Sequence, residues 1–339
     1  MSGGTASEDP ARTTADVAVI IPAYRSAGVL DTTLASVAAQ TLLPREVVVA
    51  DDASGDATAE VARAWSGRLP VTTVVLDENR GPGGARRIAI EHTTSPRLAL
   101  LDADDVWLPD HLETLVAAHD RLGGIVTADP IRWLPGTALS ETSVGRDLPI
   151  PPPAAQRAAI LRHDFVFIGT LFERADYEAA GGFRDQFRGP EDWDLWIRMI
   201  RRGTVVHRAD HPTVLYRLSA ESGSAHERMV EQERAVVLAA LAESTTEEDH
   251  RVLTRTLRDI EARTALQEAY GLARADRPWG ARSRAVGGLR GPGRIRSRCA
   301  AILVAPRLAT RARDQRVHDP RWWLRVSGRR STQWWRTRR

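Results

Sequence analysis

Apolar residues in the first two hundred positions come in short β-branched bursts, separated by stretches with helical spacing. Residues 17–21 read as a strand, and Leu30, Leu34 and Val37 then mark one face of a helix. Residues 47–50 read as a second strand. Asp56 is placed to cap a helix carrying Ala59, Val61 and Trp65. Residues 71–76 read as a third strand and 98–101 as a fourth, with helices predicted over 83–92 and 109–121. Strand–helix alternation at this spacing predicts parallel βαβ units with right-handed crossovers. Ligands in such sheets bind beyond the carboxyl ends of the strands. The polar clusters fall there: Asp51-Asp52, then Asn79 to Arg87, then Asp102 to Asp105.

Residues 129–155 are rich in Pro and Gly and predict an irregular excursion beside the cleft. A strand is expected over 165–172, a helix over 191–202 and a closing strand over 214–218. In that helix Trp193, Trp196, Ile197 and Ile200 form one apolar stripe. Residues 225–272 keep a helical pattern, with Leu253, Leu257 and Ile260 in step. The expected organisation is a short N-terminal stretch (1–15), an α/β domain (16–222), a helical segment (223–273) and a basic tail (274–339).

Composition sharpens this picture. The chain has 339 residues, 42% hydrophobic and 27% charged, which suits one large globular domain with an appendage. Its single cysteine, Cys299, excludes an internal disulfide framework. All 47 basic residues are Arg, so chemistry that needs a lysine is excluded, Walker-type phosphate loops and Schiff bases among it. The formal charge of +3 averages two unlike halves. Residues 1–220 hold 22 Arg against 30 acids (−8), and 221–339 hold 25 against 14 (+11). The first 16 residues lack an apolar targeting core, and the longest apolar runs, 236–242 and 299–305, are too short to span a bilayer. The reading is a cytoplasmic protein, peripheral on the inner face of the membrane.

Three constellations carry chemistry. Asp102, Asp104 and Asp105 crowd three carboxylates behind an apolar strand; they suit a hard divalent cation, or an acidic turn that starts the next helix with Asp110. Glu191 and Asp192 occupy a first helical turn behind Pro190. They either complement the helix dipole or place a general base. Gly81-Pro82-Gly83-Gly84-Ala85-Arg86-Arg87 opens a helix after a strand. It departs from the dinucleotide fingerprint, because Arg86 stands at the third glycine, and reads instead as an anion site. His207 and His211 read as surface or core residues rather than ligands.

In order along the chain stand Val19-Ile20-Ile21-Pro22-Ala23-Tyr24, Gln40-Thr41, Val48 to Asp56, Asn79-Arg80-Gly81 with Ala85-Arg86, Leu101 to Asp105, and Glu191-Asp192. This series, over about residues 17–218, resembles family 2 glycosyltransferases. The resemblance implies the α/β GT-A fold: a Rossmann-like, mostly parallel sheet flanked by helices, here with a helical, basic C-terminal extension. It implies an inverting transfer of a sugar from a nucleotide diphosphate donor, a UDP-sugar first, to an acceptor hydroxyl, assisted by Mg²⁺ or Mn²⁺. By the same resemblance Pro22, Ala23, Tyr24 and Asp52 line the base pocket. Arg86 contacts base or phosphate, and Arg217 the diphosphate. Asp104 binds the metal, Asp102 the metal through water or the ribose, and Asp192 is the base with Glu191 as support. The implied setting is synthesis of cell-surface polysaccharide, glycolipid or glycoconjugate on a saccharide or lipid-linked acceptor. A catalytically inactive binding or scaffold module is the second reading.

Three positions depart from the family pattern: Arg25 and Arg87, where Asn is common, and Ser219, where a His often stands. These departures leave the third metal ligand open, with the ion held mainly by Asp104 and the donor. The +16 segment 274–339, with 19 Arg, 3 Asp and Trp279, Trp322, Trp323, Trp334 and Trp335, has three readings. It is a solvated or helically packed extension, a contact for an anionic membrane surface, or, least favoured, a nucleic-acid binder.

Overall fold

A computed structural model describes residues 13–136, 143, 149–167, 169–218 and 226–306, with side chains from 229 in the last stretch. The chain forms two units. Within the described residues, the first takes in 13–136, 150–157 and 165–218, and the second takes in 158–164 and 226–306.

The first unit is built on one eight-stranded sheet. Its strands are β1 Thr14–Ala23, β2 Leu43–Asp51, β3 Val71–Val75, β4 Arg97–Leu100, β5 Val106–Trp107, β6 Ile125–Trp133, β7 Thr170–Glu173 and β8 Val206–Arg217. The order is β3-β2-β1-β4-β7-β6-β8-β5. The β3-β2-β1-β4 half is parallel, with Val19 opposite Val47 and Ile20 opposite both Val48 and Leu100. Val17 to Ile21 are all buried, which is why β1 reads as an unbroken apolar run rather than an alternation. The βαβ units are closed by α1 Leu30–Ala38, α2 Thr58–Arg63 and α3 Gly81–Glu91, followed by α4 His111–Leu122. Asp56 accepts from the Thr58 N–H at 3.0 Å, so it serves the start of α2 as its position suggested.

The other half of the sheet is mixed, and here the pattern was harder to read. The expected strand over 165–172 is only β7, antiparallel to β4 and β6. The stretch taken as irregular from 129 onward instead begins inside β6, which pairs parallel with β8 through shifts of register at Asp129 and Pro130. Pro130 has no N–H for a ladder, so it suggested a loop; a bulge accommodates it. Helix α5 is Pro153–Ile160, and Gln156 extends the ladder by side chain: it exchanges two bonds with the Val206 backbone, at 2.7 and 2.8 Å. Helix α6 is Arg174–Ala179 and α7 is Glu191–Arg201, the latter as the apolar stripe predicts.

Gln40 pins this unit from within. Its amide donates to the carbonyls of Ser36 and Leu108 and accepts from the Leu112 N–H, tying α1 to the start of α4. His111, next to it, is fully buried, its ring centroid 4.1 Å from that of Trp107 at a tilt of 33° and its Nδ1 2.8 Å from Thr213 Oγ1.

The second unit is helical. The expected single pattern over 225–272 is two helices, α8 His226–Ala242 and α9 Glu247–Arg274, because Thr246 caps α9 by accepting from the Asp249 N–H. Helices α10 Pro278–Gly288 and α11 Gly293–Val304 follow. The first half of the basic tail is thus folded: Leu266, Ala269, Tyr270 and Ala273 of α9 pack with Ala281, Ala285, Cys299 and Ile302. A Cβ on Gly288 would lie 2.3 Å from Cys299 Sγ, so a glycine is needed for this approach. Trp322, Trp323, Trp334 and Trp335 lie outside the described residues.

Burial pushes His111 down to about 3. An unfolded chain protonates this ring near 6.5. The folded state therefore binds fewer protons as pH falls below that value, and stability is lost with acid. Urea unfolding at pH 7 and pH 5 should show His111→Gln losing about 1–2 kcal/mol less across that interval than the parent chain. Equal losses would mean that His111 is not the acid-sensitive group.

Candidate active site

The functional side chains stand at the carboxyl ends of β1, β2 and β4, where the parallel half of the sheet opens. Strand β1 ends in Pro22 and Ala23, and the Ala23 carbonyl accepts from the Asp52 N–H at 2.8 Å. Tyr24 follows, exposed, with the Arg25 guanidinium 5.2 Å from its ring centroid. The turn after β2 is tight. Arg25, Ala53 and Gly55 all have positive φ, the Asp51 carboxylate accepts from the Ser54 N–H, and Ser54 Oγ accepts from the Arg25 N–H.

Asp52 is buried, and its two carboxylate oxygens accept from the N–H groups of Arg80 (2.7 Å) and Gly81 (2.8 Å). Burial lifts its carboxyl above the ordinary range, and the two amides oppose that. The glycine-rich opening of α3 thus holds an anion, as its pattern suggests, but that anion is the protein's own Asp52. The flanking arginines are committed as well. Arg87 makes a fork to Asp185 at 2.9 and 3.0 Å and reaches Glu91 at 2.8 Å.

Arg86 is the centre of the site. It is 4% exposed. One terminal nitrogen donates to Asp102 and the other to Glu191, each at 2.6 Å, and the guanidinium lies 5.7 Å from the Phe183 ring centroid. The carboxylates of Asp102 and Glu191 raise its pKa against the opposing effect of burial. Glu191 is 1% exposed, and its second oxygen accepts from the Gly189 N–H at 2.7 Å. Room for this contact comes from α3: a Cβ on Gly83 would sit 2.7 Å from Glu191 Cγ. Asp192, half-buried beside it, accepts from the Trp193 N–H at 2.7 Å, and its charge is felt by Arg86.

The acidic turn after β4 is clamped from several sides. Thr33 Oγ1 lies 2.8 Å from the carbonyls of both Ala103 and Asp105. The Arg217 N–H donates to the buried Asp105 carboxylate at 2.9 Å, and Arg217 Nε donates to the Asp104 carbonyl at 2.7 Å. The Arg217 guanidinium lies over the Trp133 ring, 4.4 Å from its centroid. Burial, and then the charge of Asp102, pushes Asp104 up; the same two causes push Asp105 up to about 8. Carboxylates raised by one another are short of positive charge, and their hard oxygens fit a divalent cation. Among the described residues no group of three or more His, Cys, Asp or Glu is arranged to hold one alone.

The structure therefore joins Asp102, Arg86 and Glu191 directly, links Ala23 to Asp52, and ties Arg217 to Asp104. Ser219 lies outside the described residues. His211 Nε2 lies 2.7 Å from an Asp110 carboxylate oxygen, outside this cluster of contacts. Thr33 and Trp133 carry no sequence signal, since a lone Thr on a helix and an aromatic at a strand end have no periodic partner.

Comparison with known proteins bears on this arrangement. Residues 18–172 match the family described as Glycosyl transferase family 2. The succinoglycan biosynthesis protein ExoU of Rhizobium meliloti is 33% identical over 267 residues, covering 72% of this chain and 76% of that protein. The amylovoran biosynthesis glycosyltransferase AmsE of Erwinia amylovora is 28% identical, covering 59% and 73%. In structure, S. aureus TarS 1–349 in complex with UDP-GlcNAc superposes with a TM-score of 0.61 at 17% identity, covering 88% of this chain and 91% of that one. The mannosyltransferase PcManGT from Pyrobaculum calidifontis, in complex with GDP-Man and Mn²⁺, gives 0.58 at 20% identity, covering 92% and 84%. These structural likenesses support the GT-A architecture expected from the motif series. On the strength of the family match and the ExoU relationship, the chain belongs to glycosyltransferase family 2 and is a glycosyltransferase.

Proposed function

We propose that this enzyme is an inverting transferase. It moves a sugar from a nucleotide diphosphate donor, a UDP-sugar first, to a saccharide hydroxyl, free or lipid-linked, during synthesis of a cell-surface polysaccharide or glycoconjugate. The observation that carries the reading is the Asp102–Arg86–Glu191 junction, which sets the acidic turn and the Asp192 helix start in one fixed frame. The relatives named for succinoglycan and amylovoran biosynthesis support the acceptor class. The nucleotide sugars bound by TarS and PcManGT support the donor class. The basic C-terminal region is the part that meets an anionic membrane on the cytoplasmic side.

In this reading the base lies over Tyr24 with Pro22 and Ala23 at its edge. Asp52 keeps a second lone pair on each carboxylate oxygen, and one of these accepts a base N–H such as uracil N3–H. Arg86, with both terminal nitrogens engaged, acts on the donor by holding Asp102 toward the ribose rather than by reaching the phosphates. Asp104, with Asp102, would hold Mg²⁺ or Mn²⁺ together with oxygens of the donor. When bound, that ion supplies Lewis-acid stabilisation of the diphosphate leaving group. Arg217, braced on Trp133, adds positive charge beside the same turn. Asp192 takes the proton of the acceptor hydroxyl as that oxygen attacks C1 from the face opposite the leaving group. A half-buried carboxylate at a helix start is held in one orientation, as general-base catalysis requires. Glu191 does not share that task, because it is 1% exposed and paired with Arg86, out of reach of an acceptor hydroxyl.

Asp192→Asn keeps the shape and removes the base. Turnover should fall about 10²–10⁴-fold with donor binding retained, and the parent's product should carry the anomeric configuration opposite to the donor's by NMR. Near-parental turnover or retained configuration would overturn the assignment. Titration calorimetry should show weak Mn²⁺ binding to the protein alone and clear binding once UDP is present. Tight binding without nucleotide would contradict a metal held jointly with the donor. Gly83→Ala forces Glu191 off Arg86, and a shift of this kind in a catalytic frame costs on the order of 10²-fold in kcat. An unchanged kcat would show that the junction has no part in placing the reacting groups.

A further inference from the structure

The three most exposed large hydrophobic side chains among the described residues lie together in the second unit: Trp279 and Val304 at 79% and Val286 at 56%. Trp279, Arg282 and Val286 stand at i, i+3 and i+7 on one side of α10, while Ala281 and Ala285 on the other side are buried in the helical core. Arg282 joins this stripe to the end of α11. Its guanidinium is 5.3 Å from the Trp279 ring centroid, and Nη2 donates to the Val304 carbonyl at 3.5 Å. The segment that carries the patch is strongly basic: residues 274–306 hold eight Arg and one acid, Asp276, and Arg277, Arg290, Arg294, Arg296 and Arg298 are exposed. From Val304 the chain runs into residues 307–339, which add 11 Arg, 2 Asp and four Trp.

We propose that this patch is a docking face for an anionic lipid surface, with Trp279, Val286 and Val304 entering the headgroup layer and the surrounding arginines meeting lipid phosphates. The proposal builds on the membrane-facing reading of the basic region and supplies the residues that make the contact. An indole is suited to this layer, apolar in body and polar at one edge, and arginine stems lie along apolar surface with the charge outward. No described helix is long and apolar enough to cross a membrane, so the contact is interfacial. A second copy of the chain is a poorer occupant, because two faces of the same sign repel. A nucleic acid would use the arginines and the ring but leave the two valines in water.

The test is co-sedimentation of the full chain with phosphatidylcholine vesicles and with vesicles in which about 30% of the lipid is phosphatidylglycerol, run without donor or acceptor. Binding is expected to the anionic vesicles alone and to weaken as salt rises. Trp279→Glu combined with Val304→Glu should lower the vesicle affinity about tenfold or more, and Trp279→Phe should retain most of it. All three positions are exposed, so circular dichroism should show an unchanged helical unit. The proposal is overturned by equal binding to both vesicle types, by no binding, or by a double variant that binds like the parent. It is also overturned if sedimentation velocity shows a dimer that the double variant abolishes, or if an oligonucleotide strips the protein from vesicles. Because no sugar transfer is measured, these outcomes stand apart from those of Asp192→Asn.

Discussion

A guanidinium buried to 4% exposure is held in place by the carboxylates that neutralise it, and Arg86 has two. Removing Arg86 would leave Asp102 and the buried Glu191 without the cation that holds both, at a cost of about 3–5 kcal/mol. The junction also carries geometry. Asp102 comes from the end of β4, Arg86 from the first turns of α3 and Glu191 from the start of α7, elements separated by up to 105 residues in sequence. Fixing these three side chains fixes where the acidic turn lies relative to Asp192. The glycines of α3 follow from this: a helix that brings its axis close to Glu191 cannot carry a Cβ at position 83.

The acidic turn is the complementary problem. Three carboxylates in four residues repel one another, and Asp104 and Asp105 are both pushed up, by burial first and then by the charge of Asp102. Such a turn would open toward solvent unless its backbone were held. Thr33 grips two of its carbonyls, Arg217 a carbonyl and a carboxylate, and Gln40 anchors the segment that follows. Charge is thereby kept concentrated at one rim of the sheet, a repulsion stored in the fold.

The parallel half of the sheet and most of the site were legible because periodicity and local clusters carry them. β1, β2 and β4 are apolar runs that can only be buried strands, and each ends in the polar cluster that becomes a wall of the site. What was not legible depends on long-range pairing. β6 hid behind Pro130 because its partner, β8, lies some 80 residues away and tolerates the bulge. The fold around Arg86 was also out of reach. Sequence placed an arginine after a glycine-rich loop, which suggests an exposed anion binder, and only the tertiary structure shows two internal carboxylates claiming its nitrogens. In the same way Asp52 fills the helix start that the glycines seemed to offer to a ligand.

The charge asymmetry also takes on a different meaning in three dimensions. The acidic excess of residues 1–220 is spent partly inside, on Arg86, Arg198 and the amides of α3. The basic excess of residues 274–306 is mostly outside, because α10 and α11 bury alanines, a cysteine and an isoleucine and turn most of their arginines to water. A helical unit with so small an apolar core has little reason to leave a tryptophan and two valines exposed on one side. Folding alone would favour polar residues there, since exposed Trp and Val gain nothing from water. Their presence in a segment with eight arginines and one acid is what the proposed lipid contact would require, apolar side chains for the layer beneath and positive charge for the headgroups.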